Sequence, residues 1–483
     1  MPGEYASLCG GSTGECVVTV PADWTSLSVD TYLLPVFRSL NNPRTMSELV
    51  LAEQNMIWQD ITGMDLNGDG FRDLIVQGTA ADPAYEGNYI FALLNNLDGT
   101  FTDVSDRYFP GYDGSRWNWA SRTFLVDLNN DGRLDLVPYG TGTVPPLIRQ
   151  ASGAFLQLGG TSAGEENSAS VPMDIDSDGD IDLLKLTFGW DEELDPDIEL
   201  ETLTAIRLLE NITTSSDRPT FIERPGAIND DLLAGWDNNT LMRMPLVSDI
   251  NQDGYPDLIY QGPHYEDGWT GREMPVIVFL NSGDKRLIES GEQVFDGAVP
   301  KLIHNADIEA ADIDGSGFES IILANHGFDV SPWPGEPNLV LRNRGNGKLE
   351  ADAGTADSHD YVGYTHSMSV GDIDKDGDID IVYVGPGQDV DEYVVSLGEG
   401  MGTAIRTEAI RILLNDGQGT FTNQNFIWEG PFNSGDGWTT NALIDLNNDG
   451  FPELILGESH PGARSFVLWN QGGSFTTSLT PES

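Results

Sequence analysis

Residues 372–384 read DIDKDGDIDIVYV, an acidic nine-residue segment followed at once by a short apolar run. The segment has an acid at position one, Asp or Asn at three, Asp at five, Gly at six and an acid at nine. Seven copies, which we number as acidic loops 1 to 7, begin at Asp65, Asp127, Asp174, Asp249, Asp312, Asp372 and Asp445. Their starts lie 47 to 75 residues apart, and self-similarity at such a spacing indicates a repeat architecture.

Each acidic loop is one turn within a unit of short strands. An apolar run follows it (LIVQG, 74–78), then a second run that ends in Asn (IRILLN, 410–415) and a short strand after a Gly turn (GTFTN, 419–423). A further stretch precedes each loop (NALID, 441–445). Four such runs divided by Gly, Asn and Asp turns predict a four-stranded antiparallel meander. Because one meander cannot bury both of its apolar faces, the repeats predict an all-β, seven-bladed β-propeller with the acidic loops between the first and second strands.

The propeller is expected to span residues 56–483, with residues 1–55 as an N-terminal extension. Within the extension, residues 17–20 (VVTV) could add a strand that latches the ring, and residues 45–54 could form a short capped helix. Cys9 and Cys16 enclose a short polar loop. They could form a disulfide in an oxidising compartment or remain free thiols.

The composition narrows the class of protein. The chain has 78 Asp and Glu against 24 Lys and Arg, a net charge of −54, which argues against general affinity for nucleic acid or anionic lipid. The hydrophobic share of 39% is enough to form a core. No apolar stretch approaches the roughly 18 residues of a membrane span, and residues 1–20 show no signal-peptide pattern.

The acidic loops predict calcium sites. Oxygen side chains at alternate positions can converge on one point, the Gly allows a sharp reversal, and the ninth-position acid closes the shell. Such a set of hard oxygen donors suits Ca²⁺. Zinc is disfavoured because His and Cys are missing, and Mg²⁺ because it seldom occupies an all-protein cage. An EF-hand would need an acid at position twelve, and none of the seven copies has one.

These motifs resemble the FG-GAP/VCBS repeat propellers, which include the integrin α-subunit head, over roughly residues 56–480. The resemblance implies ligation by side chains at positions one, three, five and nine and by the carbonyl of position seven. The implied ligands are Asp65, Asn67, Asp69, Asp73 and Phe71 in loop 1; Asp127, Asn129, Asp131, Asp135 and Arg133 in loop 2; Asp174, Asp176, Asp178, Asp182 and Asp180 in loop 3; Asp249, Asn251, Asp253, Asp257 and Tyr255 in loop 4; Asp372, Asp374, Asp376, Asp380 and Asp378 in loop 6; and Asp445, Asn447, Asp449, Glu453 and Phe451 in loop 7.

Loop 5 departs from the pattern. Ser316 and Ser320 replace the acids at positions five and nine, so that Asp312 and Asp314 remain as carboxylate ligands, with Glu319 one place early. We therefore expect about six occupied calcium sites and a fifth loop that is weak or empty. These sites are expected to be structural.

The rim opposite the acidic loops is expected to bind the ligand, because long insertions rich in aromatic and acidic residues lie there. Trp190, Trp269 and Trp333 fall within insertions, and Tyr364 and Trp438 lie in connections between blades. Aromatic rings beside carboxylates and amides suit sugars, and they equally suit a protein partner. A Trp near an inner strand also often packs between blades.

Two hypotheses follow. The first is an extracellular recognition or adhesion module that binds a glycan or a partner protein, either alone or within a larger surface assembly. The alternative is a secreted polysaccharide hydrolase or lyase that uses paired acids such as residues 191–193 or 266–267. Recognition is favoured because acids are too abundant here for such pairs to be specific, and GxSxG, HExxH, P-loop and Rossmann motifs are missing. Calcium is abundant outside cells, so a secreted or cell-surface location is expected.

Overall fold

The computed structural model describes residues 47–49, 56–80, 86–112, 119–141, 145–158, 168–191, 200–214, 218–226, 244–262, 264–266, 270–327, 335–352, 362–385, 410–424, 438–458 and 465–476. Cys9, Cys16 and residues 17–20 lie outside them. The predicted all-β, seven-bladed propeller is confirmed: seven antiparallel sheets, mostly of four strands, follow one another along the chain.

The strands of each blade are consecutive in sequence, except that the first strand of the chain, β1 (Ser47–Leu49), joins the last blade. The blades consist of β2 (Met56–Met64), β3 (Asp73–Ala80), β4 (Glu86–Asn95) and β5 (Phe101–Asp103); β6 (Trp119–Val126), β7 (Asp135–Thr141), β8 (Leu147–Arg149) and β9 (Phe155–Gln157); β10 (Ser168–Met173), β11 (Asp182–Asp191), β12 (Leu200–Asn211) and β13 (Phe221–Glu223); β14 (Leu246–Ser248), β15 (Asp257–Tyr260), β19 (Ile277–Asn281) and β20 (Leu287–Glu289); β22 (Asn305–Ala311), β23 (Ser320–Asn325), β25 (Leu339–Asn343) and β26 (Leu349–Ala351); β28 (Ser367–Gly371), β29 (Asp380–Val384), β30 (Ile410–Asn415) and β31 (Phe421–Gln424); and β32 (Trp438–Ile444), β33 (Glu453–Glu458), β34 (Ser465–Asn470) and β35 (Phe475–Thr476).

Short elements decorate the blades. Two single-turn helices follow outer strands, and three two-stranded sheets lie on the rim opposite the acidic loops. These elements are α1 (Ser105–Tyr108), α2 (Gly291–Val294), β16 (His264–Glu266) with β17 (Thr270–Arg272), β18 (Met274–Pro275) with β21 (Lys301–Leu302), and β24 (Glu336–Pro337) with β27 (Val362–Gly363).

The second strand of each blade is apolar on both faces because blades pack against it from both sides. In β3, Leu74, Ile75 and Val76 are all buried. Among the described residues, seven hydrophobic clusters fill the spaces between adjacent blades. One of them packs Trp58 of the first blade with Ile455 of the last, which closes the ring and covers the apolar faces of the two end blades.

The N-terminal segment differs from the expectation. Residues 47–49 form a strand, where a helix over residues 45–54 was predicted; β1 pairs with β34 in the register Ser47↔Val467 to Leu49↔Ser465. The physical reason is an open strand edge: β35 pairs only with Trp469 and Asn470 of β34, so the remaining positions accept another strand. This pairing overrides the local capping pattern. The division at residues 55 and 56 stays a prediction.

Candidate metal sites and the axial cavity

Each acidic loop folds around its own carboxylates. In loop 1, Asp65 accepts hydrogen bonds from the backbone N–H groups of Gly68 (2.6 Å) and Gly70 (3.0 Å), and Asp69 accepts one from Phe71 (2.9 Å). The glycine at position six has a φ between 82° and 96° in all seven loops. This left-handed conformation is strained for residues with a Cβ, which explains the glycine.

Two acidic triads could bind a metal ion. In loop 3, Asp174, Asp176 and Asp182 each present an oxygen, and these oxygens lie within 4.8 Å of one another. In loop 6, the residues at the same positions form the second triad; they are Asp372, Asp374 and Asp380. Both triads therefore combine positions one, three and nine of the motif, as the resemblance implied.

The position-five carboxylates are engaged locally in these two loops. Asp178 and Asp376 accept the backbone N–H groups of Asp180 and Asp378, both at 3.0 Å. In loops 1, 2, 4 and 7, position three is Asn, whose Nδ2 donates to the position-five carboxylate at 2.8 to 3.0 Å. Ligation in those four loops, and by the position-seven carbonyls, stays a prediction.

The donor set fits a hard cation. Within the described part of the chain, Asp374 Oδ1 and Asp445 Oδ1 are buried and have no hydrogen-bond partner. A buried carboxylate oxygen without a partner is costly, and a cation would satisfy it. The nearby groups are carboxylates, amides and carbonyls, which favour Ca²⁺ over zinc or copper.

The ninth-position acid has a second role, which was not predicted from the sequence. In loop 1, the Asp73 carboxylate is fully buried and accepts two backbone hydrogen bonds, from Leu66 (2.9 Å) and Asn95 (2.8 Å). The first of these bonds recurs at 2.7 to 3.1 Å in every loop that has an acid at position nine. The residue is thus both a candidate ligand and a brace between the loop and the third strand.

Burial raises the pKa of these acids, and neighbouring carboxylates add to the effect. The pKa rises to about 6 for Asp135 and Asp380, to about 7 for Asp182 and Asp257, and to about 8 for Glu453. Because the folded pKa of these acids exceeds the unfolded one, their protonated forms stabilise the metal-free ring at low pH. This contribution to stability is lost as pH rises through about 6 to 8. A bound divalent cation favours the ionised form and opposes that loss.

A belt of asparagines joins the acidic loops around the ring. The third strand ends in Asn in every blade except the second, which has Arg149. Each Asn donates Nδ2 to the carbonyl of position two in the preceding blade's loop, at 2.7 to 2.9 Å. These pairs, which we call the asparagine belt, are Asn95 with Leu446, Asn211 with Leu128, Asn281 with Ile175, Asn343 with Ile250, Asn415 with Ile313 and Asn470 with Ile373.

Loop 5 is held together without the missing acids. Ser320 Oγ accepts the N–H of Asn343 at 3.2 Å, in place of the ninth carboxylate. Arg344 lies 3.4 Å from Asp314 and supplies a positive charge. Glu319 instead accepts a hydrogen bond from Ser248 of the fourth blade (2.8 Å). Loop 5 is therefore stabilised without two of the acids, and its weak or empty metal site stays a prediction.

Restoring the acids should create a site in loop 5. We expect the double substitution Ser316→Asp with Ser320→Asp to bind one more equivalent of calcium than the original chain in calorimetric titration. The carboxylate introduced at position 320 would accept the Asn343 N–H as its counterparts do in the other loops. The neutral pair Ser316→Asn with Ser320→Asn is the control. Equal stoichiometry for the acidic variant and the original chain would contradict the expectation.

Three of the five aromatic candidates for the ligand face lie among the described residues. Trp438, expected on the ligand face, is instead buried at 4% exposure and packs edge-on against Phe466, because it fills the space between the sixth and seventh blades. Tyr364 lies 4.5 Å from the ring of His326. Trp190 lies near the end of β11 in the pairing Trp190↔Glu201. Trp269 and Trp333 lie outside the described residues.

An axial cavity of about 320 Å³ lies among the first strands. Arg122 of the second blade reaches into the fifth blade and donates to Asp307 (3.0 Å), to Glu309 (2.6 Å) and to the carbonyl of Ile308 (2.9 Å). Burial raises the pKa of Asp60 and Asp307, and raises that of Glu309 to about 7, although Arg122 acts in the opposite direction. We call these four charged residues the axial cluster.

The axial cluster was not predicted from the sequence. Asp60, Arg122 and Asp307 each lie five residues before an acidic loop. Charged residues at the same position of three inner strands were the available signal, which an alignment of the seven copies would have exposed.

The fold and the loops define the class: a seven-bladed β-propeller whose blades carry acidic loops, two of which contain an acidic triad that could hold a metal ion. The chain matches the FG-GAP-like repeat at residues 65–137 and 388–456. These two segments carry FG-GAP-like repeats, as the resemblance indicated.

Solved structures of similar shape include a lectin and two polysaccharide lyases. The lectin is from Agrocybe aegerita and recognises non-reducing terminal N-acetylglucosamine; it shares 14% identity over 90% of each chain, with a TM-score of 0.45. The rhamnogalacturonan lyase PL11 of Bacillus licheniformis shares 13% identity, over 91% of this chain and 76% of its own, with a TM-score of 0.41. The rhamnogalacturonan lyase YesW shares 12%, over 88% and 75%, with a TM-score of 0.39.

At these identities, the similarity carries no argument about ligand or activity. No curated protein matches the chain. Among the described residues, neither helix has the length and apolar character needed to cross a membrane.

Proposed function

We propose that the chain is an extracellular, calcium-stabilised recognition or adhesion propeller. It binds a glycan or a partner protein through the rim opposite the acidic loops, at the cell surface or after secretion, either alone or as part of a larger surface assembly. Ca²⁺ occupies about six acidic loops, and loop 5 is weak or empty.

The observation that carries this proposal is the contrast between the two rims. On one rim, the loops are short, alike and braced by the asparagine belt. On the other, the pairing of β11 with β12 continues out to Asp191↔Leu200, and β16 with β17 adds a second hairpin. A rigid scaffold that presents variable hairpins on one side suits recognition.

Two short sheets support this reading, because they fix insertions to the connections between blades. The pairs Met274↔Leu302 and Glu336↔Gly363 each join an insertion to the chain entering the next blade. Anchoring of this kind reduces the conformational entropy that a binding surface loses when a ligand binds.

The alternative is a secreted polysaccharide-degrading enzyme. One observation favours it: Glu309, with a pKa of about 7, borders a cavity of about 320 Å³ and could act as a general acid. Against it, Arg122 binds both Asp307 and Glu309, and Asp307 accepts a further hydrogen bond from the N–H of Met368 (2.9 Å). Recognition therefore remains our conclusion.

A glycan array and a polysaccharide-degradation screen on one preparation test the proposal. We expect saturable binding of a glycan, and a tenfold or greater loss of affinity in Trp190→Ala and Trp269→Ala, because an indole ring covers the apolar face of a sugar. The matched control is Leu97→Ala, an apolar residue 51% exposed on the opposite rim. Product release without stoichiometric binding would instead support the enzyme.

A further inference from the structure

We propose that the asparagine belt positions the metal ligands and couples the acidic loops, so that a cation bound in one loop orders the loop of the adjacent blade. The asparagines would act through the ninth-position carboxylates, which accept the backbone N–H groups of Asn95, Asn211, Asn281 and Asn415. This inference rests on the proposed calcium binding.

The link between loops 4 and 3 shows the path. The backbone N–H of Asn281 donates to Asp257 of loop 4 (2.8 Å), and its Nδ2 donates to the carbonyl of Ile175 in loop 3 (2.7 Å). The N–H of Ile175 in turn donates to Asp182 of loop 3 (3.1 Å). Two candidate ligands on different blades are thus joined through one asparagine and one residue of backbone.

The whole path is buried. Asn281, Ile175, Asp182 and Asp257 are all at most 2% exposed. Water cannot easily replace a bond that breaks in such a place, so the cost of breaking it is high. A cation that fixes the orientation of Asp257 therefore also fixes the asparagine that its oxygen binds, and through it the backbone of loop 3.

Links of this kind also join the first blade to the last, and the series of links around the ring is interrupted at one place. Asn95 joins the first blade to Leu446 of the last, 351 residues away, at 2.8 Å. In the second blade, Arg149 takes the asparagine's place and donates to the carbonyl of Leu66 (3.0 Å). At loop 5, Ser320 replaces the carboxylate. The six loops with an acid at position nine therefore form one continuous arc that starts at loop 6, passes through loops 7, 1, 2 and 3, and ends at loop 4.

A second set of contacts runs in the opposite direction. Position-four side chains donate to the loop of the following blade: Ser177 to the carbonyl of Gly254 (2.7 Å), Lys375 to that of Asp449 (2.8 Å) and Asn448 to that of Gly70 (2.9 Å). Adjacent loops are thus held to each other from both sides, which favours ordering of neighbours together.

Hydrogen exchange followed by mass spectrometry tests the coupling, because it reports each loop separately. Calcium is titrated into the full chain, and the midpoint of protection is read for residues 174–182. Disabling loop 4 with Asp249→Asn and Asp253→Asn leaves the belt residues in place. We expect this change to raise the calcium midpoint of loop 3 by about fivefold or more, as is usual for coupled sites, and to leave loop 7 unchanged.

In Asn281→Ala, the same disabling of loop 4 should shift the loop 3 midpoint by less than twofold. Asn281→Leu, which has a similar shape but no hydrogen-bond donor on its side chain, is a second uncoupling variant if the first folds poorly. If disabling loop 4 leaves the calcium midpoint of loop 3 unchanged in a chain that keeps Asn281, the coupling is overturned. A shift that persists in both Asn281 variants would overturn the role of the belt. If no loop gains protection from calcium, the proposed metal binding itself fails.

Discussion

Chelation of calcium is expected to lower the melting temperature of the chain by an amount on the order of 15 °C. A loop at a free calcium concentration one hundredfold above its Kd contributes about 2.7 kcal/mol to the free energy of unfolding. For a ring of this length, the unfolding entropy makes each degree of melting temperature equivalent to about 0.9 kcal/mol of unfolding free energy. Six such loops therefore give a shift of this order. The acidic loops also lose their counterion, so that clustered carboxylates repel one another.

Differential scanning calorimetry before and after chelation measures this effect, with calcium removal verified by elemental analysis. Readdition of Ca²⁺ should restore the transition, whereas Mg²⁺ at the same concentration should restore little of it, because Mg²⁺ releases its waters reluctantly. A melting curve that does not change on verified removal would contradict a structural role for the metal. The metal-free protein should also be cleaved faster by protease, because loosened loops open more often.

The blades could be predicted from the sequence because the signals for them are local. An acidic turn, an apolar run such as LIVQG at 74–78 and a closing turn each constrain only a few neighbouring residues, and seven copies repeat the evidence. The ring itself followed from the need to cover the apolar faces of each blade. The candidate ligands at positions one, three and nine followed from the same motif, and two triads meet as expected.

Other features depend on contacts that only the closed ring creates. The axial cluster brings Arg122 beside residues 185 and more positions away, and no local pattern predicts that approach. Trp438 was mistaken for a ligand-face residue because the sequence does not say which aromatic ring fills a gap between blades. The strand β1 formed because β34 had an unpaired edge, which is a property of another part of the chain.

Replacement of Arg122 by Met is expected to destabilise the ring by about 3–5 kcal/mol at pH 8, the usual cost of removing one partner from a buried ion pair. The guanidinium joins the second and fifth blades through Asp307 and Glu309. Met has similar length and keeps most of the packing, so the loss comes mainly from the buried Asp307 and the partly buried Glu309, which remain without their cation.

The pH dependence separates this cause from lost packing. The pKa of Glu309 is raised to about 7 by burial; the stability linked to this group is therefore present below its unfolded pKa and is lost as pH rises through about 7. In Arg122→Met, the attraction that opposes this rise is gone, so the difference from the original chain should be smaller at pH 5, where Glu309 is protonated in both chains, than at pH 8. Thermal melts at both values, in saturating calcium, measure it. Arg286→Met, at a side chain 63% exposed and 3.9 Å from Asp284, is the control and should melt as the original chain does. A difference of equal size at pH 5 and pH 8 would show that Arg122 acts through its packing, and the axial cluster would then contribute little through its charge.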